Sequence, residues 1–111
     1  MTDYISVATT TDSVANARQI AGVLLDGRLA ACVQISAPIE SRYWWQGEIE
    51  SATEWRLTIK TRAALFDDLC SAIRAVHPSS VPQILALPIV AGNRDYLAWI
   101  DEVTAPPAPR K

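Results

Sequence analysis

In this 111-residue chain, chemistry could come from two cysteines, one histidine and a group of charged and aromatic residues gathered around one glycine. Cys32 and Cys70 are far apart and form no Cys-x-x-Cys pair, so they read as reduced, buried thiols rather than a disulfide framework. His77 is the only histidine, and Pro78 follows it. An imidazole at such a place most simply caps the free carbonyls of a helix end. Any Ser–His–Asp or Cys–His pair would have to use it, which leaves a small enzyme as the weakest functional class. One histidine and two scattered cysteines outline no metal cage by local spacing. Glu40, Glu48, Glu50 and Glu54 cluster about Gly47. Carboxylates so placed suit a divalent ion or, more simply, a solvated rim. The four glycines are too dispersed to cradle a phosphate.

The aromatic residues near Gly47 carry a different message. Adjacent residues on a strand point to opposite faces, so Trp44 and Trp45 cannot both enter one core. One is expected at a subunit interface, the other on a more exposed surface or cleft. Arg42, Arg56 and Lys60 lie on or near the same strands and could hold a small anion, with a solvated face as the default.

The elements that must position these residues follow from periodicity. Tyr4 to Thr9 is short, apolar and β-branched, and reads as a strand. Thr10 to Ser13 offers N-caps for a helix with Ala17, Ile20, Ala21, Leu24 and Leu25 on one stripe, stopped by Gly27. Leu29 to Ile35 alternates as a strand, and Pro38 interrupts it with a bulge or bend. The strand signal resumes at Ile39 and runs through Trp45. Gln46-Gly47-Glu48 turns the chain, and Ile49 to Thr61 returns. Thr61 is expected to cap a second helix that ends at His77-Pro78. Gln83 to Val90 is an apolar strand expected to be buried on both faces or at an interface. Tyr96, Trp99, Ile100 and Val103 mark a third helix. The order β-α-β-β-α-β is the split βαβ, ferredoxin-like arrangement of the α+β class, with a long hairpin and a C-terminal helix. One domain is expected over residues 1–104, with a frayed proline-rich tail over 105–111.

Composition narrows the function classes. Half of the residues are hydrophobic and a fifth are charged, as in ordinary globular chains. A formal net charge of −2 gives no reason to expect nucleic acid or an anionic membrane as partner. No apolar run has the roughly 18 residues of a membrane span. The N-terminus lacks a secretory pattern, so a cytoplasmic protein is expected.

Leu29-Ala30-Ala31-Cys32-Val33, Pro38-Ile39, Ser41, Tyr43-Trp44, Gly47, Glu54, Leu57 and Ile59-Lys60-Thr61 follow one another in a telling order. His77-Pro78, Pro82, Ile84, Gly92, Tyr96-Leu97 and Trp99-Ile100 continue it. Together these residues resemble the CutA divalent-cation tolerance family over positions 4 to 103. The resemblance implies a ferredoxin-like subunit in a tight homotrimer, akin in architecture to the PII signalling trimers.

It also implies tolerance to copper and other divalent cations, by a non-enzymatic protein with no firmly implied cofactor. In the family, copper binding is attributed partly to a cysteine at the end of the first strand and to adjacent histidines before the proline. Here Ala8 and Val76 stand at two of those places. Ser79, Gln83 and Gln34 also depart from the family's usual residues. Cys32 and His77 are the surviving ligands, and the resemblance implies weak copper binding if they meet across subunits. The alternative is a PII-like trimeric sensor that binds a small anionic metabolite between subunits and contacts a partner protein.

Overall fold

The computed structural model describes residues 3–106. The order is β1 (Tyr4–Thr11), α1 (Val14–Asp26), β2 (Cys32–Ile35), β3 (Ile39–Trp45), β4 (Glu48–Arg62), α2 (Phe66–Val76), β5 (Ile84–Pro88) and α3 (Arg94–Val103). The main sheet runs β2-β4-β1-β5, all pairs antiparallel, and β3 pairs with the distal half of β4. This is the α+β, ferredoxin-like topology.

Alternation along β1 and β4 builds the core. Ile5, Val7 and Thr9 on β1 and Leu57 and Ile59 on β4 face one side of the sheet. Ala17, Ile20 and Leu24 of α1 and Leu69 and Ile73 of α2 close over them, and all of these helix residues are fully buried. Each helix buries only its apolar stripe, as a surface helix in a two-layer domain must. Ser13 caps α1, its Oγ accepting the Asn16 amide at 3.0 Å, and Gly27 ends the helix.

Two local features differ from the sequence expectation. Thr61 does not cap α2. The chain first makes a 3₁₀ turn at Ala63–Leu65, and Thr61 is spent inside, its Oγ1 donating to the Leu29 carbonyl at 2.7 Å. The C-terminal end of the domain is also tied down. The Ala105 amide donates to the Arg28 carbonyl at 2.8 Å, and the Arg62 guanidinium donates to the Ala105 carbonyl and to Thr104 Oγ1. The rest of the expected tail, from Pro107 on, lies outside the described residues.

The face of the sheet opposite α1 and α2 is covered only in part. Tyr4 donates to Asp101 of α3 at 2.6 Å, and Tyr96 of α3 lies beside Cys32. Burial pushes the Tyr96 hydroxyl above its ordinary range, and the Cys32 thiol adds to this. Beyond α3, the edge strand β5 leaves Leu85 59% and Leu87 67% exposed, opposite Ala8 and Ser6 of β1. The apolar Gln83–Val90 run is thus not buried on both faces within one subunit.

Candidate functional site

The β3–β4 hairpin is held in register from Ile39↔Glu54 to Trp45↔Glu48. Gln46 and Gly47 both take positive φ, at 52° and 84°, which lets the turn close in two residues. At its end, Trp44 is 72% and Trp45 41% exposed. One subunit therefore buries neither tryptophan, although register sends them to opposite faces as expected. Among the described residues, α1 and α2 close over the core strands and make at most marginal contact with β3.

Where the hairpin joins the domain, a cleft of about 490 Å³ opens. Its walls are the end of β1 (Thr10 to Asp12), the hairpin base (Ser41 to Tyr43, Ala52, Glu54), and the segment His77–Ser79 with Val81–Gln83. Register pairs Arg42 with Ser51, on the face opposite the Ser41–Ala52 pair, so Arg42 borders the cleft from the far side of its strand. Arg56 pairs with Thr10 and is exposed, but it does not line the cleft. Lys60 is further down β4, where its Nζ donates to Gln34 Oε1 at 2.5 Å. The three cations named from sequence are therefore not gathered in one site.

His77 is the ordered centre of the cleft wall. Its Nε2 meets the Thr10 carbonyl at 2.7 Å, and its Nδ1 accepts the Ser79 amide at 3.0 Å. Only an Nε2–H tautomer satisfies both bonds, since a carbonyl must accept and an amide must donate. The expectation that this imidazole caps the carbonyls of α2 is thereby corrected. The carbonyl of Val76 at that helix end is taken by Asn16 of α1, whose Nδ2 donates at 2.9 Å. Thr11 Oγ1 in turn donates to Asn16 Oδ1 at 2.5 Å. Sequence reasoning missed Asn16; the only signal was a polar residue in the first turn of an amphipathic helix.

The residues test poorly against a chelated metal within one subunit. Cys32 pairs with Lys60, and Lys60 pairs with Ser6, whereas His77 reaches Thr10. The two expected ligands are thus separated by four residues of β1, roughly 13 Å, and by two strand spacings of about 4.8 Å. Asp12, Glu54 and His77 all line the cleft, yet among the described residues no three His, Cys, Asp or Glu side chains come together as a metal group. Glu40 pairs with Thr53, away from the face that carries Glu48, Glu50 and Glu54. The hairpin carboxylates thus form a solvated rim.

Comparison with known proteins gives a consistent picture. A family model described as "CutA1 divalent ion tolerance protein" matches residues 5–103. The divalent-cation tolerance protein CutA of Thermus thermophilus is 48% identical over 88 residues, covering 79% of this chain and 85% of that protein. A chloroplastic CutA 1 protein of Oryza sativa is 44% identical over 87 residues, and the match spans 78% of this chain but about half (49%) of that longer protein. Among solved structures, the Thermus thermophilus protein superposes with a TM-score of 0.90 at 44% identity, covering 92% of this chain and 99% of its own. One described as the periplasmic divalent cation tolerance protein CutA from Archaeoglobus fulgidus gives 0.88 at 41% identity, covering 90% and 97%. With nearly the whole domain matched in sequence and in backbone, the chain belongs to the CutA1 divalent ion tolerance family.

Proposed function

We propose that the chain serves divalent-cation tolerance as a homotrimer, without catalytic chemistry of its own. The observation that carries the assembly is the apolar surface left bare by one subunit. On the edge strand, Leu85 and Leu87 are exposed beside their small cross-strand partners Ala8 and Ser6, and at the hairpin tip Trp44 and Ile49 form a separate exposed pair. Each is exposed apolar surface of the kind that marks an interaction site, and a partner subunit would take it out of water. The absence of catalysis is supported by His77, whose two nitrogens are both engaged in backbone hydrogen bonds. A cytoplasmic location is supported by Cys32 and Cys70, both free thiols.

Copper or another divalent ion is held weakly in this reading. Cys32, part-exposed beside Tyr96, is the soft ligand that suits copper. Joining it with His77 would take two subunits and would break a hydrogen bond of the imidazole. Light scattering on the purified protein tests the assembly: a mass near three times the 12.1 kDa subunit is expected, and a mass of one subunit overturns it. A copper titration of Cys32→Ser beside the parent tests the ligand.

The cleft favours a second reading, a PII-like sensor that takes a small metabolite there. Its volume falls within the range of small-molecule sites. Asp12 and Glu54 on the walls and Arg42 only at the border disfavour a multiply charged anion. A thermal-shift screen against metabolites checks this, because a true ligand raises the melting temperature by mass action.

A further inference from the structure

We infer that His77 is a positioning latch for the cleft wall and not a metal ligand in this chain. The register shows why an imidazole is placed here. The last pair of β1 with β5 is Thr9↔Ile84, so Thr10 lies one residue past the reach of β5. His77 Nε2–H takes the Thr10 carbonyl at 2.7 Å and extends the edge of the sheet by one rung. On its other side, Nδ1 accepts the amide of Ser79, two residues on, at 3.0 Å. Asparagine and aspartate side chains close this same i to i+2 ring in an Asx turn. The imidazole therefore reproduces an Asx turn with one nitrogen and bridges to a strand with the other.

The turn it sets is rigid. Pro78 and Pro82 fix two backbone torsions, and Ser79 Oγ accepts the Val81 amide at 3.2 Å between them. This segment is one whole wall of the cleft. A metal needs a nitrogen lone pair. The Nε2 position carries the proton, and the Nδ1 lone pair is aimed at the Ser79 amide. Coordination at either nitrogen would orphan the Thr10 carbonyl or the Ser79 amide and release the wall. The inference concerns one subunit and holds whether or not the chain forms a trimer.

The chain has one histidine, so its ring signals in NMR are unambiguous. Ring ¹⁵N shifts of the full-length protein should show the Nε2–H tautomer. The His77 ring C–H lines should keep their width as CuCl₂ is added up to one equivalent. In His77→Asn, the Asn side chain can still accept from Ser79, so hydrogen exchange at the Ser79 amide should stay close to the parent rate. In His77→Ala, that exchange should rise roughly tenfold, as for loss of one intramolecular hydrogen bond. An Nδ1–H tautomer, selective broadening of the His77 ring below one equivalent of copper, or equal Ser79 protection in His77→Ala overturns the inference. If His77→Ala does not fold, the tautomer and the copper titration on the unmodified chain decide the matter.

Discussion

Thr61 Oγ1 donates to the Leu29 carbonyl at 2.7 Å, and Thr61 is fully buried. This bond ties β4 to the segment that leads from α1 into β2. It also satisfies a carbonyl that has left the helix and not yet joined the sheet. Thr61→Val keeps the shape and removes the donor. A loss of about 1 kcal/mol is expected, the typical net worth of one hydrogen bond at a part-buried carbonyl. Urea unfolding of the two proteins side by side measures it.

Thr9 gives the opposite expectation from nearly the same environment. It too is fully buried, but its Oγ1 has no hydrogen-bond partner among the described residues. Thr9 lies on the core face of β1, in step with Val7 and across from Leu57. Thr9→Val should therefore stabilise the protein by about 1 kcal/mol, since it removes a desolvated polar group without changing the volume. A fall in the urea midpoint for this variant would mean that the hydroxyl is satisfied in solution.

These two threonines show where the sequence was legible and where it was not. The element order, a cap somewhere from Thr10 to Ser13, the stop at Gly27 and the turn at Gly47 were all readable. The expected bulge near Pro38 is a one-residue register shift that also ends β2 at Ile35 and starts β3 at Ile39. Each depends on local torsion or on a local side chain. Thr61 was misread as a helix cap because a threonine before an amphipathic run looks the same whether its hydroxyl turns outward to a helix or inward to Leu29. The latch at His77 was invisible for a related reason. Its partner Thr10 is 67 residues away, and only the short length of β5 leaves that carbonyl free. The apolar run at β5 was readable as a strand, but its exposure was not. Periodicity shows that Leu85 and Leu87 share a face, not whether a helix covers it.

Cys70 should be a slow thiol. Burial pushes its ionisation above the ordinary range, Asp67 pushes it further the same way, and Arg74 opposes them in part. Less thiolate is then present at neutral pH, and the thiolate is the reactive form. In Cys32→Ser, which leaves Cys70 alone, alkylation by iodoacetamide at pH 7 should be slower than for a free cysteine. Its rate should keep rising above the pH at which a free thiol levels off. Mass spectrometry of timed quenches gives the profile. A rate equal to that of free cysteine at every pH would contradict the burial of this group.

The hairpin tip supplies the last expectation. Trp44 and Ile49 are cross-strand partners, 72% and 56% exposed, so both present apolar area to water in one subunit. Trp45 is on the other face, opposite Glu48, and is less exposed. In an isolated subunit, replacing Trp44 by alanine removes almost no packing and should cost under about 1 kcal/mol of folding stability. In the proposed trimer the same change deletes an aromatic anchor. Such residues contribute about 2 kcal/mol or more when buried at an interface. Trp44→Ala should therefore weaken assembly by roughly thirtyfold or more while leaving the subunit folded. Sedimentation over a dilution series, with circular dichroism on the same samples, separates the two effects. Unchanged assembly with an exposed Trp44 would move the interface off the hairpin tip and leave the Leu85–Leu87 face to carry it alone.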